Sequence, residues 1–165
     1  MSDALLPPEI IALARRVVEE NAAAGRRIAV AESCTGGLVA AALTEIPGSS
    51  AVLDRGFVTY SNGAKQELLG VSDDIIDAFG AVSIACVYAM AQGALARSEA
   101  DVAVAISGIA GPEGGTHNKP VGTVVFARAV RGADKPDAEL KHFDEQDRSG
   151  VRRQATLCAL ELLLP

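Results

Sequence analysis

The chain has 165 residues, 49% of them apolar, so residues 1–165 read as a single domain with a full core, one domain commonly taking about 100–200 residues. A formal net charge of −6 argues against general nucleic-acid or anionic-membrane binding, which needs a basic face to neutralise phosphates. Three widely spaced cysteines, Cys34, Cys86 and Cys158, fit neither a zinc site nor a disulfide framework; with no leader-like start in Met1–Pro8 and no apolar run long enough to cross a bilayer, a cytoplasmic location with reduced thiols is expected.

An apolar stripe of Ile10, Ile11, Leu13, Ala14, Val17 and Val18 predicts a helix from Pro8 to Ala24, opened by Pro8 and stopped by Gly25. Arg26 to Ala31 is the first buried strand. Glu32-Ser33-Cys34-Thr35-Gly36-Gly37 is a turn of mostly small residues, handing over to an Ala-rich helix from Leu38. A loop at Ile46–Ser50 leads to a strand over Val52–Tyr60, a turn at Ser61-Asn62-Gly63 and a short helix over Ala64–Leu69. Ser72 caps a helix ending before Gly80, and Ser83 to Arg97 forms a longer one, too apolar to stand free, that must pack on a sheet face or a subunit neighbour. Asp101 to Ser107 is a strand buried on both faces. A Gly-rich loop from Gly108 to Pro120 leads to a strand at Gly122–Val130. Ala138 to Phe143 is an edge strand, and Asp147 or Ser149 caps the last helix. Interleaved strands and helices, with two consecutive strands near the end, predict a three-layer α/β/α sandwich with a mixed, mostly parallel central sheet.

Three stretches place small and polar residues just past apolar strands, where α/β folds hold ligands. In the first, Ser33 and Thr35 are either simple helix caps or neighbours of free helix-start amides that would stabilise an oxyanion. In the second, Tyr60 to Lys65, the lysine is the natural base for a serine hydroxyl, because the chain has only His117 and His142. Lys65 needs burial or a neighbouring cation to become a neutral amine, and Tyr60 could relay the proton. The third, Gly108 to Gly122, is either a backbone cradle for an anion or an Ω-type surface loop; it is not a Walker A loop, because Pro120 follows Lys119. Arg148, Arg152 and Arg153 either clamp a phosphate or form a solvated face. Cys34 is the rival nucleophile to Ser33.

Taken together, Ala31-Glu32-Ser33-Cys34-Thr35-Gly36-Gly37-Leu38, Thr59-Tyr60-Ser61-Asn62-Gly63-Ala64-Lys65, Ser107-Gly108-Ile109-Ala110-Gly111-Pro112, Gly114-Gly115 and Lys119-Pro120-Val121-Gly122-Thr123-Val124 closely resemble the C-terminal domain family of the competence-damage protein CinA. The length points to a stand-alone form without the larger N-terminal domain. The resemblance implies a nicotinamide-nucleotide amidase that converts nicotinamide mononucleotide (NMN) and water to nicotinic acid mononucleotide and ammonia, with no cofactor and no metal. It also implies Ser33 as nucleophile and Lys65 and Tyr60 as proton-handling partners. The residues expected around the substrate are Glu32, Cys34, Thr35, Gly36, Gly37, Ser107, Gly108, Gly111, Gly114, Gly115, Lys119 and Arg148, with the phosphate in the glycine loop. Expected partners are NMN and a second copy of the chain, the latter suggested by the apolar Ser83 helix; nucleic acid and membrane are not expected. The reading from another class is a non-catalytic nucleotide-binding module that regulates a competence or DNA-damage partner.

Overall fold

The computed structural model describes residues 3–144 and 146–165. Met1 and Ser2, part of the start read above for a leader, lie outside them. Five strands form one sheet in the order β2-β1-β3-β4-β5: β1 (Ile28–Glu32), β2 (Leu53–Val58), β3 (Val102–Gly108), β4 (Thr123–Val130) and β5 (Asp137–His142). β2, β1 and β3 run parallel, whereas β4 pairs antiparallel with both β3 and β5. The sheet is therefore mixed, with a parallel half that carries the site and an antiparallel half that completes the core.

The two faces differ in side-chain size, because neighbouring residues of a strand point to opposite sides. Ile28, Val30, Val102, Val104, Ile106, Val124 and Phe126 pack against α1 (Pro8–Ala23), α2 (Leu38–Thr44) and α6 (Arg148–Leu162). On the other face Ala29, Ala31, Ala103, Ala105, Ala127 and Ala129 meet the layer built from α3 (Asn62–Leu69), α4 (Asp73–Phe79) and α5 (Ile84–Ala96). Alanine on that face lets α5 lie close to the strands. The apolar character of α5 is thereby accounted for inside one chain: Cys86, Val87, Met90, Ala91 and Ala94 are buried in the core it shares with the sheet. Gly93 is needed where α5 passes α3, since a Cβ there would collide with the Leu69 backbone.

Local capping sets most helix starts. Ser61, Ser72, Ser83 and Asp147 each accept a backbone N–H with the side chain at the head of α3, α4, α5 and α6. The short helix begins at Asn62, two residues earlier than expected, because Ser61 caps it. α1 opens on Pro8 with no side-chain cap, and α2 also departs from the pattern. Neither Ser33 nor Thr35 caps α2; its N-cap is Gly37, in a left-handed conformation at φ 106°, with no side-chain bond of its own.

Among the described residues no helix is long and apolar enough to cross a membrane, and no group of three or more His, Cys, Asp or Glu side chains forms a metal site.

Candidate active site

The site lies beyond the C-terminal ends of β1, β2 and β3. β1 ends at Glu32, and Ser33 is tied to the neighbouring strand by its amide, which donates to the Ile106 carbonyl at 3.0 Å. The chain then turns, with the Gly36 amide donating to the Ser33 carbonyl at 2.9 Å. The cap that α2 lacks comes from behind: the Glu32 carboxylate accepts from the amides of Gly37, Val39 and Ala40 at 3.2, 2.9 and 3.1 Å, and from the Thr35 hydroxyl at 2.7 Å. A carboxylate at the positive end of a helix is well placed electrostatically. Its consequence corrects the sequence reading: the opening amides of α2 are occupied by Glu32 and are not free for an oxyanion. The Cys34 and Thr35 amides remain, with no backbone acceptor among the described residues.

Lys65 falls in the first turn of α3 and points inward. It is 1% exposed, the largest of the fully buried side chains. Its Nζ lies 3.0 Å from Ser33 Oγ, 2.7 Å from the Thr59 carbonyl and 3.2 Å from the Tyr60 carbonyl. A neutral amine has two N–H bonds and one lone pair, so the two carbonyls can take both donors and leave the lone pair for the Ser33 hydroxyl proton. Burial pushes the Lys65 amine below the ordinary lysine range; the groups acting weakly the other way are the thiols of Cys86 and Cys34. Burial also pushes the Cys34 thiol up to about 11, which keeps that sulfur protonated and a poor nucleophile near neutrality.

Tyr60 is 61% exposed. Its hydroxyl accepts from Arg148 Nη2 at 3.2 Å, while Arg148 Nη1 donates to the Gly111 carbonyl at 2.6 Å. The first turn of α6 thus reaches across to join the end of β2 to the glycine loop. Ser33, Cys34, Tyr60, Lys65, Ser107, Gly108 and Arg148 share one cavity of about 150 Å³. Ala81, Val82 and Ala110 complete its wall. The Ala81 carbonyl is fixed there by the Ser107 hydroxyl at 2.9 Å. Among the described residues, the larger cavity of about 240 Å³ between α5 and the β4–β5 turn has no comparable pair of hydroxyl and amine in its lining.

Several residues expected at the substrate stand elsewhere. Glu32 and Thr35 are buried behind the turn with their side chains bonded to each other. Gly36, Gly37 and Gly111 adjoin the cavity without lining it; Gly114 and Gly115 lie on the exposed outer part of their loop. The Lys119 ammonium donates to the Phe79 carbonyl at 2.6 Å, tying that loop to the end of α4. Both histidines are exposed and outside the cavity.

Comparison with known proteins gives the family. The CinA C-terminal domain model matches residues 10–165, and the chain belongs to that family. It is 54% identical over 142 residues to a protein of Enterobacter agglomerans named nicotinamide-nucleotide amidohydrolase PncC, covering 86% of this chain and 85% of that one. A CinA-like protein of Akkermansia muciniphila is 48% identical over 97% of this chain, which spans only 38% of that longer relative. Among solved structures, the competence/damage inducible protein CihA from Agrobacterium tumefaciens superposes with a TM-score of 0.93 at 48% identity, covering 97% of this chain and 96% of that one.

Proposed function

We propose that this chain hydrolyses the carboxamide of nicotinamide mononucleotide, with Ser33 as nucleophile and Lys65 as its base. The observation that carries the reading is the 3.0 Å contact between a buried amine, kept below its ordinary pKa by burial, and the Ser33 hydroxyl at the cavity wall. The relative named as a nicotinamide-nucleotide amidohydrolase, matched along most of both chains, supports NMN as the substrate.

In this mechanism Ser33 Oγ attacks the carboxamide carbon as its proton passes to Lys65 Nζ. The tetrahedral intermediate collapses with cleavage of the C–N bond, and the proton leaves with ammonia. Water then adds to the acyl-enzyme, giving the carboxylate product and restoring the Ser33 hydroxyl. Tyr60, held by Arg148 in the cavity wall, acts as the second proton-handling group. A cavity of about 150 Å³ is smaller than the roughly 300–1,000 Å³ of drug-sized ligand pockets. It suits the carboxamide end, with the ribose phosphate directed outward to Arg148 and the glycine loop. No cofactor or metal takes part in this scheme.

The test is ammonia release from NMN by the purified protein and by Ser33→Ala. Turnover by the wild type and none by the variant is expected. Tight NMN binding with no ammonia from either would instead make the chain a nucleotide-binding module. Loss of activity in Cys34→Ala with survival in Ser33→Ala would transfer the nucleophile to the neighbouring thiol.

A further inference from the structure

Arg152 lies one turn beyond Arg148 on α6 but does not line the cavity. Its Nε donates to the Cys34 carbonyl at 3.0 Å and its Nη2 to the Thr35 carbonyl at 3.4 Å. Among the described residues it has no carboxylate within ion-pair distance. A half-buried guanidinium therefore directs its donors to two successive carbonyls of the turn that carries Ser33. The peptide joining Cys34 and Thr35 is trans, and in a trans peptide the C=O and N–H point in opposite directions. Holding the Cys34 carbonyl toward α6 consequently aims the Thr35 N–H away from α6. The next amide, that of Gly36, is already bonded to the Ser33 carbonyl, so the Thr35 N–H is left over. A cation at the oxygen end of a peptide also polarises it and strengthens its N–H as a donor.

We infer that Arg152 is the positioning residue of the oxyanion hole, fixing and polarising the turn so that the Thr35 amide donates to the oxyanion formed after attack by Ser33. The inference rests on Ser33 being the nucleophile proposed above. It assigns to Arg152 a part in the chemical step, not a grip on the nucleotide phosphate.

The two roles separate kinetically. Arg152→Ala is expected to lower kcat for NMN about 10- to 100-fold, short of the roughly 10²–10³-fold lost with a direct oxyanion donor, with KM changed less than threefold. Added guanidinium should restore part of kcat, and Arg152→Lys, able to serve one carbonyl, should fall between. The second readout is phosphonylation of Ser33 by an alkyl fluorophosphonate, in which the Oγ–P bond forms, fluoride leaves and the hydroxyl proton passes to Lys65. This probe carries no ribose phosphate, yet its rate should fall by a similar factor in both variants. A raised KM with unchanged kcat and unchanged labelling would overturn the inference in favour of phosphate binding, and no change in any readout would also overturn it. If Arg152→Ala does not fold, the same comparisons on Arg152→Lys decide. Wild-type protein that labels at Ser33 but releases no ammonia from NMN would refute the substrate reading alone, leaving the labelling rates to judge Arg152. Absence of labelling at Ser33 would refute both.

Discussion

Lys65 Nζ meets Ser33 Oγ at 3.0 Å from a position in which its other two hydrogen bonds are made to main-chain carbonyls. Such an arrangement fixes the amine in place without a counter-charge that would hold its proton. Lys65→Met is expected to lower kcat for NMN about 10²–10⁴-fold, the range for losing a positioned general base. In the wild type, kcat should climb with pH as Lys65 loses its proton, with a midpoint below the ordinary lysine value of 10.5. Tyr60→Phe should reduce the rate without abolishing that climb.

The same group links stability to pH. The unfolded chain keeps the Lys65 proton up to about 10.5, whereas the folded chain releases it at lower pH because burial disfavours the charge. Between those two pH values the unfolded state binds more protons, so stability rises with pH there. Below the folded pKa both states carry the proton and the contribution is flat. Denaturant titrations of wild type and Lys65→Met across pH 7–10 should show a stability difference that moves in favour of the wild type as pH increases.

Glu32→Gln should be more damaging than its near-identical shape suggests. The carboxylate accepts four hydrogen bonds while 1% exposed. An amide nitrogen in place of Oε2 would face the Ala40 N–H, donor against donor. We expect a loss of about 1–3 kcal/mol, the cost of a buried polar group left unmatched, together with reduced activity because the Ser33 turn and α2 share this anchor. Equilibrium unfolding in urea measures the first effect and ammonia release the second.

Thr59 makes the opposite prediction. Its hydroxyl is buried with no hydrogen-bond partner among the described residues, although its carbonyl holds Lys65. Thr59→Val keeps the branched shape and the backbone bond. Stability should be unchanged or higher by about 1 kcal/mol, since an unsatisfied buried hydroxyl is lost, and activity should be retained. A lower melting temperature and impaired turnover in this variant would show that the hydroxyl has a working partner.

Gly93→Ala sets two rules against each other. Alanine is favoured over glycine in a helix interior by about 1 kcal/mol, yet a Cβ at this site would strike the Leu69 backbone. Backbone cannot rotate aside as a flexible side chain can, so the steric term dominates. A net loss of about 1–3 kcal/mol, the usual range for overpacking, is expected in thermal unfolding.

What the sequence made legible was what local rules govern. Ser72, Ser83 and Asp147 announced helix starts because a cap acts within three residues. The strand from Asp137 to His142 could be placed at an edge because its mixed charge suits one. Ser33, Lys65 and Tyr60 stood out at strand ends, but their meeting depends on β2 lying beside β1, which no spacing reveals. Glu32 was misread because its capping partners lie five to eight residues ahead, outside the Ser/Thr/Asp/Asn pattern that signals a cap. Lys119 was misread because a lysine in a glycine loop suggests an anion, whereas here it serves a helix carbonyl 40 residues away. The wall formed by Ala81 and Val82 left no signal, since apolar residues between two helices are ordinary.

The small side chains beneath α5 reach beyond packing. Ala81 and Val82 lie just before this helix, and Ala81 is tied to Ser107 at the end of β3. How deep the helix can sink onto the strands therefore bears on how wide the cavity beside Ser33 opens. Enlarging Ala103 or Ala105 to valine would act as a spacer, lifting that wall from Ser33 and Lys65 without altering any residue that lines the cavity.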